Sequence, residues 1–166
     1  IDLGISPANL TIKGKGPYNE LGWTMAAGDI NNDTRMDIIV SAPVASPNGN
    51  LHGEVYIIYG KSYPNGKIID LSLVQPNITV RGQLEDTIGR NGLASEDVDN
   101  DGIDDIIIGA AYAGTTRADA GKIYVIYGKN YSNGRLIDLA IQSANITIIG
   151  AKAFDNLGYS LASRNI

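Results

Sequence analysis

The sequence predicts an all-β fold built from repeated units, each containing four short strands in an antiparallel sheet. The first observation behind this prediction is a tripeptide of Ile, Asp and Leu that recurs every 68 residues, at 1–3, 69–71 and 137–139. The second is that short β-branched runs alternate with glycine-rich turns, whereas amphipathic patterns of helical length are few. A fixed period of this length indicates a repeat architecture.

The period divides the chain into two complete units and a partial third. Their boundaries are residues 1–68, 69–136 and 137–166. A small sheet with two apolar faces needs neighbours to cover both of them. Because the sequence ends inside a unit, we expect the chain to be an excerpt of a larger repeat protein.

The sequence of each complete unit predicts four strands in the same order. The first strand is expected at Leu10–Lys13, Ile78–Arg81 and Ile146–Ile149. The second and third strands of the first unit are expected at Trp23–Ala27 and Asp37–Ser41. The fourth strand is expected at Glu54–Tyr59 and Lys122–Tyr127. Four short strands make up one blade of a β-propeller, so the units are predicted to be blades.

An acidic loop precedes the third strand of the second unit. Carboxylates occupy its positions 1, 3, 5 and 9, and glycine occupies position 6: Asp97, Asp99, Asp101, Asp105 and Gly102. A tight loop turns alternate side chains toward one centre, where Ca²⁺ accepts oxygen ligands at about 2.3–2.6 Å. The backbone carbonyl of Ile103 would be a further ligand. The sequence therefore predicts a calcium loop.

An EF-hand and a solvated acidic turn are two other interpretations of this loop. An EF-hand needs a glutamate at position 12, but Ile108 occupies that position in a strand-like apolar run. A solvated acidic turn without a metal ion stays open, because Asp, Asn and Gly are ordinary turn residues.

The first unit carries the same loop with substitutions. Its predicted calcium ligands are Asp29, Asn31, Asp33, the backbone carbonyl of Arg35, and Asp37. Thr34 stands at position 6, where the second loop has Gly102. The sharp turn there favours a positive φ, which is unfavourable for a β-branched residue. We therefore expect the first loop to bind calcium more weakly than the second.

Together with these loops, three further kinds of recurring segment resemble FG-GAP repeats, the blades of integrin α-subunit propellers and of many large secreted or surface proteins. The segments are Leu21-Gly22, Ile88-Gly89 and Leu157-Gly158; Ser41-Ala42-Pro43 and Gly109-Ala110-Ala111; and 53–57 and 121–125. The second unit departs from the pattern, with Arg90 where Gly22 and Gly158 stand. The resemblance implies a propeller fold and bound Ca²⁺. The expected partners are neighbouring blades of the same chain or other subunits, and the expected location is extracellular or at the cell surface.

Composition and charge argue against several classes of function. The net charge of −5 argues against a nucleic-acid partner. No apolar run is long enough for direct insertion into a membrane. The chain has no Cys, a single histidine in His52, and no Gly-x-Ser-x-Gly motif. Nucleophilic catalysis therefore has few candidates, and the sequence predicts a protein that is not an enzyme.

Asn-x-Ser/Thr sequons provide candidate N-glycosylation sites. The four best candidates are Asn9, Asn77, Asn130 and Asn145. A fifth, Asn32, lies within an acidic loop and is the least favoured. Three of the sequons occupy equivalent positions, so duplication of an Asn that precedes a strand would also explain them.

The leading predicted function is a calcium-stabilised structural or adhesive module of a secreted or cell-surface protein, including a place in a fibre or larger assembly. One alternative is a non-catalytic scaffold attached to an extracellular enzyme. The other is a receptor propeller that binds a protein or glycan ligand on its loops. Sequence outside this segment would identify an attached enzyme, and a ligand screen would test the receptor.

Overall fold

The fold, taken from a computed structural model, contains eleven β-strands within the described residues 8–46, 51–114 and 118–163. The strands are β1 (Leu10–Lys13), β2 (Met25–Gly28), β3 (Asp37–Ala42), β4 (Glu54–Ile58), β5 (Lys67–Asp70), β6 (Ile78–Arg81), β7 (Leu93–Glu96), β8 (Asp105–Ala110), β9 (Lys122–Ile126), β10 (Arg135–Asp138) and β11 (Ile146–Ile149). Across these ranges, no helix is long and apolar enough to cross a membrane.

Two antiparallel arrangements of four strands form the body of the fold. The first has the order β6-β4-β3-β2, and the second has the order β11-β9-β8-β7. One end strand of each four-stranded arrangement, β6 in the first and β11 in the second, follows the Ile-Asp-Leu tripeptide that opens the next sequence unit. Each sheet therefore combines strands from two successive sequence units. The predicted all-β fold of four-stranded blades is confirmed.

A short parallel strand extends the outer edge of the first sheet. β10 pairs with β6 in the register Arg135↔Ile78 to Asp138↔Arg81. β5 pairs with β1 in the equivalent way. The chain thus leaves the second blade after β9, adds a strand to the first blade, and then returns. An ion pair of 3.3 Å between Arg81 and Asp138 closes this crossover.

Strands β5 and β10 were not predicted from the sequence. Each has only four residues, and both begin with two exposed residues. β5 has no fully buried residue and β10 has one, Ile137, so neither segment shows a clear alternation of apolar and polar residues. Each residue of β10 pairs with a residue 57 positions earlier in the sequence, as Arg135 pairs with Ile78. Only the folded chain brings the two together.

The strands whose bounds were predicted agree with the structure to within two residues. β1, β6 and β11 have the predicted bounds. β2 begins at Met25, two residues later than expected, and β3 continues to Ala42. β4 and β9 each end one residue early. Strand ends are the least reliable part of such predictions, because the edge residues of a strand are only partly buried.

The main core lies between the two sheets. Ile39, Val55 and Ile57 of the first sheet share a buried cluster with Ile106 and Ile108 of the second, and all five have no exposed surface. Fully burying one such side chain stabilises the fold by about 1.5–3 kcal/mol. Packing between these apolar sheet faces holds the two blades together.

The first sheet is covered on both faces. Val40, Tyr56 and Ile58 alternate along β3 and β4 with the residues of the main core, and they belong to a second buried cluster. Alternate residues of a strand point to opposite faces of the sheet. Consequently β4 is buried along its whole length, as a strand inside a stack of blades should be.

Candidate metal centre

The acidic loop of the second blade connects β7 to β8 and is organised by its first carboxylate. Asp97 accepts hydrogen bonds from the backbone N–H groups of Asp101 at 3.1 Å and Gly102 at 2.8 Å. Asp101 in turn accepts one from Ile103 at 2.9 Å. Asn100 and Gly102 have φ values of 60° and 88°. These bonds and left-handed residues produce the tight turn that a metal loop needs.

Asp105 closes the loop from the first residue of β8 and is 1% exposed. Its carboxylate accepts hydrogen bonds of 2.9 Å from the backbone N–H groups of Val98 and Gly128. Burial raises the pKa of Asp105, and the nearby charges of Asp99 and Asp101 raise it further against those hydrogen bonds. A carboxylate in this position is unfavourably charged, which a cation in the loop would relieve.

Three carboxylates of this loop converge on one point. Asp97, Asp99 and Asp105 each offer an oxygen within 4.8 Å of the other two. Oxygens that share one Ca²⁺ at about 2.3–2.6 Å lie no more than about 5.2 Å apart, so this spacing fits a common ion. The donor set, all oxygen and strongly anionic, also suits a hard cation. The Asp101 carboxylate, predicted as a further ligand, lies outside this convergent group.

The loop of the first blade has the same backbone pattern. Asp29 accepts hydrogen bonds from the N–H groups of Asp33 at 3.0 Å and Thr34 at 2.8 Å. Asp33 accepts one from Arg35 at 3.0 Å. Thr34 has a φ of 69°, so a β-branched residue occupies the left-handed position that glycine occupies in the second loop. The conformation expected at Thr34 is therefore present.

The side chains of the first loop converge less. Within the described ranges, its carboxylates form no group of three comparable to that of the second loop. Asn31 donates a hydrogen bond of 3.2 Å to Asp33, so both predicted ligands are engaged with each other. Asp37 is fully buried and accepts hydrogen bonds from Ile30 and Gly60. Burial is also the main cause that raises the pKa of Asp37.

A contact between the two loops was missed by sequence reasoning. The Asp104 carboxylate accepts a hydrogen bond of 2.8 Å from the backbone N–H of Asp29, and the Asp104 N–H donates one of 3.2 Å to the Asp29 carbonyl. A Cβ on Gly28 would lie 2.1 Å from the hydroxyl oxygen of Ser95, so this approach requires glycine. Asp104 occupies position 8 of its loop, which is not a ligand position, and no sequence signal pointed to it.

The periodic sequon residues hold neighbouring segments together. Asn77 accepts a hydrogen bond of 2.8 Å from the N–H of Tyr59 and donates one to Asn133 of the next turn. Equivalent contacts join Asn9 to Asn65 and Asn145 to Tyr127. Asn130 is exposed and lies outside this pattern. The contacts supply a structural reason for the repeated asparagine.

β4 begins with a buried carboxylate, Glu54, for which the sequence predicted no role. Glu54 accepts hydrogen bonds from the Tyr56 hydroxyl at 2.6 Å and from Arg81 at 2.9 Å, and Lys15 lies 3.1 Å away. Burial alone would raise the pKa of Glu54, but the hydrogen bond from Tyr56 and the neighbouring cations outweigh it and lower the pKa. The partners thus satisfy the buried charge.

In the second blade the buried charge at the equivalent position has the opposite sign. Lys122 stands one period after Glu54 and pairs at 3.2 Å with Asp86, which is fully buried. The Tyr124 hydroxyl donates to the same carboxylate at 2.6 Å. The periodic exchange of Glu54 for Lys122 was the available sequence signal. Because every charged group here has a partner, the cluster is structural.

The FG-GAP repeat model matches residues 21–58 and 89–126. The chain contains FG-GAP repeats. The first matched segment begins at Leu21-Gly22 and the second at Gly89, and each runs through an acidic loop to β4 or β9. The resemblance inferred from the sequence is confirmed, and both acidic loops lie inside the matched FG-GAP segments.

Curated relatives of these FG-GAP repeats are much longer proteins. Phosphatidylinositol-glycan-specific phospholipase D of Mus musculus is 37% identical over 147 residues, which is 87% of this chain and 17% of that protein. The enzyme of the same name from Rattus norvegicus is 39% identical over 151 residues, with the same coverage. Integrin alpha pat-2 of Caenorhabditis elegans is 33% identical over 148 residues, which is 84% of this chain and 12% of that protein. The chain thus spans less than a fifth of these relatives.

Proposed function

We propose that this chain is a calcium-stabilised, non-catalytic FG-GAP propeller module with a structural or adhesive role. The observation that carries the proposal is the convergence of Asp97, Asp99 and Asp105 within 4.8 Å. Three carboxylates this close repel one another unless a cation lies among them. The proposed ligands are Asp97, Asp99, Asp101, the carbonyl of Ile103 and Asp105 in the second loop, and Asp29, Asn31, Asp33, the carbonyl of Arg35 and Asp37 in the first.

Calcium at these sites would contribute a useful fraction of the stability. Extracellular calcium modules bind with dissociation constants of about 10⁻⁴–10⁻³ M. At about 1 mM free calcium and a dissociation constant of about 0.1 mM, one site adds about 1.4 kcal/mol. A domain is stable by only about 5–15 kcal/mol in total. We expect the second loop to bind more tightly than the first.

The proposed setting is outside the cell or at its surface, where millimolar calcium would fill such sites. An integrin alpha chain among the relatives supports an adhesive role. The proposed partners are calcium and neighbouring blades, from the same chain or from other subunits. The 68-residue units 1–68, 69–136 and 137–166 are proposed as the units of sequence duplication.

Thermal unfolding with and without calcium tests this function. We expect 1 mM calcium to raise Tm by about 3–6 °C per occupied site, and a chelator to reverse the rise. Asp99→Asn removes one charge from the convergent group. Because the Asp99 carboxylate makes no hydrogen bond to a described residue, the fold without calcium should persist in this variant. Glu85→Gln changes an exposed carboxylate outside the loops and is the matched control. A Tm that calcium leaves unchanged would refute the proposal.

A second candidate function is a scaffold within an extracellular enzyme. Two relatives are phosphatidylinositol-glycan-specific phospholipases D, and the chain covers 17% of each. Assaying the natural full-length polypeptide for hydrolysis of a phosphatidylinositol glycan distinguishes this candidate. Hydrolysis would support the scaffold role, and its absence would leave the structural or adhesive role as the better account.

N-glycosylation is proposed at Asn130 before the other sequons when the natural host secretes the protein. Asn130 is exposed, whereas Asn77 is half-buried and its side-chain amide bonds to Asn133. Asn9 and Asn145 are exposed but belong to the same periodic contact as Asn77. Peptide mass mapping before and after enzymatic deglycosylation would identify the occupied sites.

A further inference from the structure

Two equivalent grooves, called the rim grooves, lie beside the edge strands β5 and β10. The first rim groove encloses about 450 Å³ and is lined by Lys61, Tyr63 and Lys67 among others. The second encloses about 200 Å³ and is lined by the residues one period later, Lys129, Tyr131 and Arg135. Pockets for small molecules usually measure about 300–1,000 Å³, so the first rim groove has room for a ligand such as one or two sugar units, and the second is smaller. Both grooves therefore combine two cations and one tyrosine.

The cations of the rim grooves form no ion pair with any described residue. Lys15, Arg81, Arg90 and Lys122 form the ion pairs found among the described residues. The described Lys and Arg residues without an ion pair are Lys13, Arg35, Lys61, Lys67, Lys129, Arg135 and Lys152. Four of these seven line the two rim grooves. In a chain of net charge −5, such an accumulation of positive charge marks a surface suited to an anionic partner.

Each rim groove has an ordered aromatic wall. The Lys61 ammonium lies 5.3 Å from the ring centroid of Tyr63, and the Lys129 ammonium lies 4.9 Å from that of Tyr131. The Tyr63 hydroxyl donates a hydrogen bond of 3.0 Å to the carbonyl of Tyr59, which fixes the ring. The Tyr131 hydroxyl makes the equivalent bond at 2.9 Å. The cation–π contact therefore restrains one cation of each groove before a ligand arrives.

Uncharged hydrogen-bonding groups complete the lining. Gln75 and Asn77 line the first rim groove, and Ser143 and Asn145 line the second at the equivalent positions. Amide and hydroxyl groups can donate to and accept from sugar hydroxyls. A concave site with amides beside its cations suits an acidic sugar better than a flat lipid surface, which could not enter the groove.

Neighbouring blades leave the rim grooves open. Asn133 and Gly134 of the following unit already line the first groove. The preceding blade is already in place beside the second groove, because β10 pairs with β6. The four cations remain exposed in both settings. A row of blades would therefore present a row of such grooves along its rim.

We propose that the rim grooves bind an acidic polysaccharide, with a sulfated or uronate sugar unit in each groove. The two cations of a groove would neutralise the acidic group, and Gln75 in the first groove or Ser143 in the second would bind a sugar hydroxyl. The inference extends the proposed adhesive role by naming a ligand class, and it rests on that role for its setting. None of the groove residues named here belongs to an acidic loop, and binding can be tested while calcium is held constant.

Affinity of the natural full-length protein for immobilised heparin tests the proposal at constant calcium and physiological salt. The test variant is Lys129→Glu with Arg135→Glu, and the matched control is Lys13→Glu with Lys152→Glu, which changes the net charge equally outside the grooves. We expect the groove variant to bind about tenfold more weakly and the control to lose less than about twofold. Uncharged dextran should not bind. If the charge reversals unfold the protein, Lys129→Gln with Arg135→Gln replaces them.

Three results would overturn the proposal. The natural protein could fail to bind heparin, or both double variants could weaken binding equally, which would indicate net charge alone. Alternatively, vesicles containing phosphatidylserine could bind more tightly than heparin with the same dependence on Lys129 and Arg135, which would assign the grooves to a membrane surface. Tm measured with and without calcium on the same samples separates the two proposals. A calcium-dependent Tm without heparin binding would refute only the rim grooves as a polysaccharide site.

Discussion

The Asp104 carboxylate in the second blade accepts a hydrogen bond of 2.8 Å from the backbone N–H of Asp29, the first residue of the acidic loop in the first blade. The Asp104 N–H returns a bond to the Asp29 carbonyl. The two acidic loops are thus joined through Asp104, which is not among the proposed ligands of either loop. A change in one loop can reach the backbone of the other through this pair.

Asp104→Ala should lower the free energy of unfolding by about 1–3 kcal/mol, because the Asp29 N–H loses its acceptor. Urea unfolding at constant calcium measures the loss. Met36→Ala is the matched control, because Met36 stands one period earlier and is 61% exposed. A control that destabilised the protein as much as Asp104→Ala would contradict a specific contact between the loops.

Thr34→Gly should stabilise the first loop and raise its calcium affinity, because glycine adopts a φ of 69° without strain. Left-handed backbone costs an ordinary residue about 1–2 kcal/mol. The reverse change, Gly102→Ala, should lower the calcium affinity of the second loop through backbone strain alone, because a Cβ there meets no atom within 4 Å. Calorimetric titration with calcium measures both variants. Equal affinities for the parent and Thr34→Gly would show that side-chain ligands alone set the difference.

Glu54 should support stability at neutral pH and lose that support in acid. Its pKa is lowered in the folded state, so its contribution is present above the ordinary glutamate pKa and disappears as the pH falls through the folded value. Glu54→Gln should cost about 1.5–3 kcal/mol at pH 7 and flatten the acid side of the stability profile. Urea unfolding between pH 3 and pH 7 measures both effects. Glu85→Gln, at an exposed site, should follow the parent curve; an unflattened Glu54→Gln curve would contradict the assignment.

Gly109→Ala should loosen the contact between the second blade and the third unit. A Cβ at Gly109 would lie 2.1 Å from the backbone oxygen of Gly158, which cannot move aside as a side chain would. Overpacking of this kind typically costs about 1–3 kcal/mol. Gly16→Ala is the control, because its nearest neighbour is a side-chain atom 3.7 Å away. Hydrogen exchange at Gly158 and its neighbours should accelerate in the first variant only.

The sequence predicted those parts of the fold that repeat with the period. Ile78–Arg81 was located because its apolar residues recur one unit later, and Asp97 and Asp99 because carboxylates at alternate positions of a glycine-containing loop match the pattern of a calcium loop. β10 could not be predicted, because its partner is chosen by the packing of two blades. Asp104 was missed for the same reason: its bonding partner lies in another blade, at a position that no local pattern identifies.

One pair of substitutions shows where periodicity fails as a guide. Thr24 and Ser41 in the first blade stand where the second has Gly92 and Gly109. In the first blade the two hydroxyls bond to each other at 2.9 Å. In the second, a Cβ on either glycine would meet the backbone oxygen of Gly158 at less than 3 Å. The difference reflects the neighbouring unit and therefore could not be derived from one unit alone.

The parallel pairing of β10 with β6 also determines how the chain would carry mechanical load. Because the strands run in the same direction, the start of β6 and the end of β10 lie at opposite ends of the ladder. A pull on these two points would slide one strand past the other and load the inter-strand hydrogen bonds together instead of one at a time. The ion pair between Arg81 and Asp138 would resist the same sliding motion. Each crossover is thereby placed to act as a shear clamp between consecutive blades.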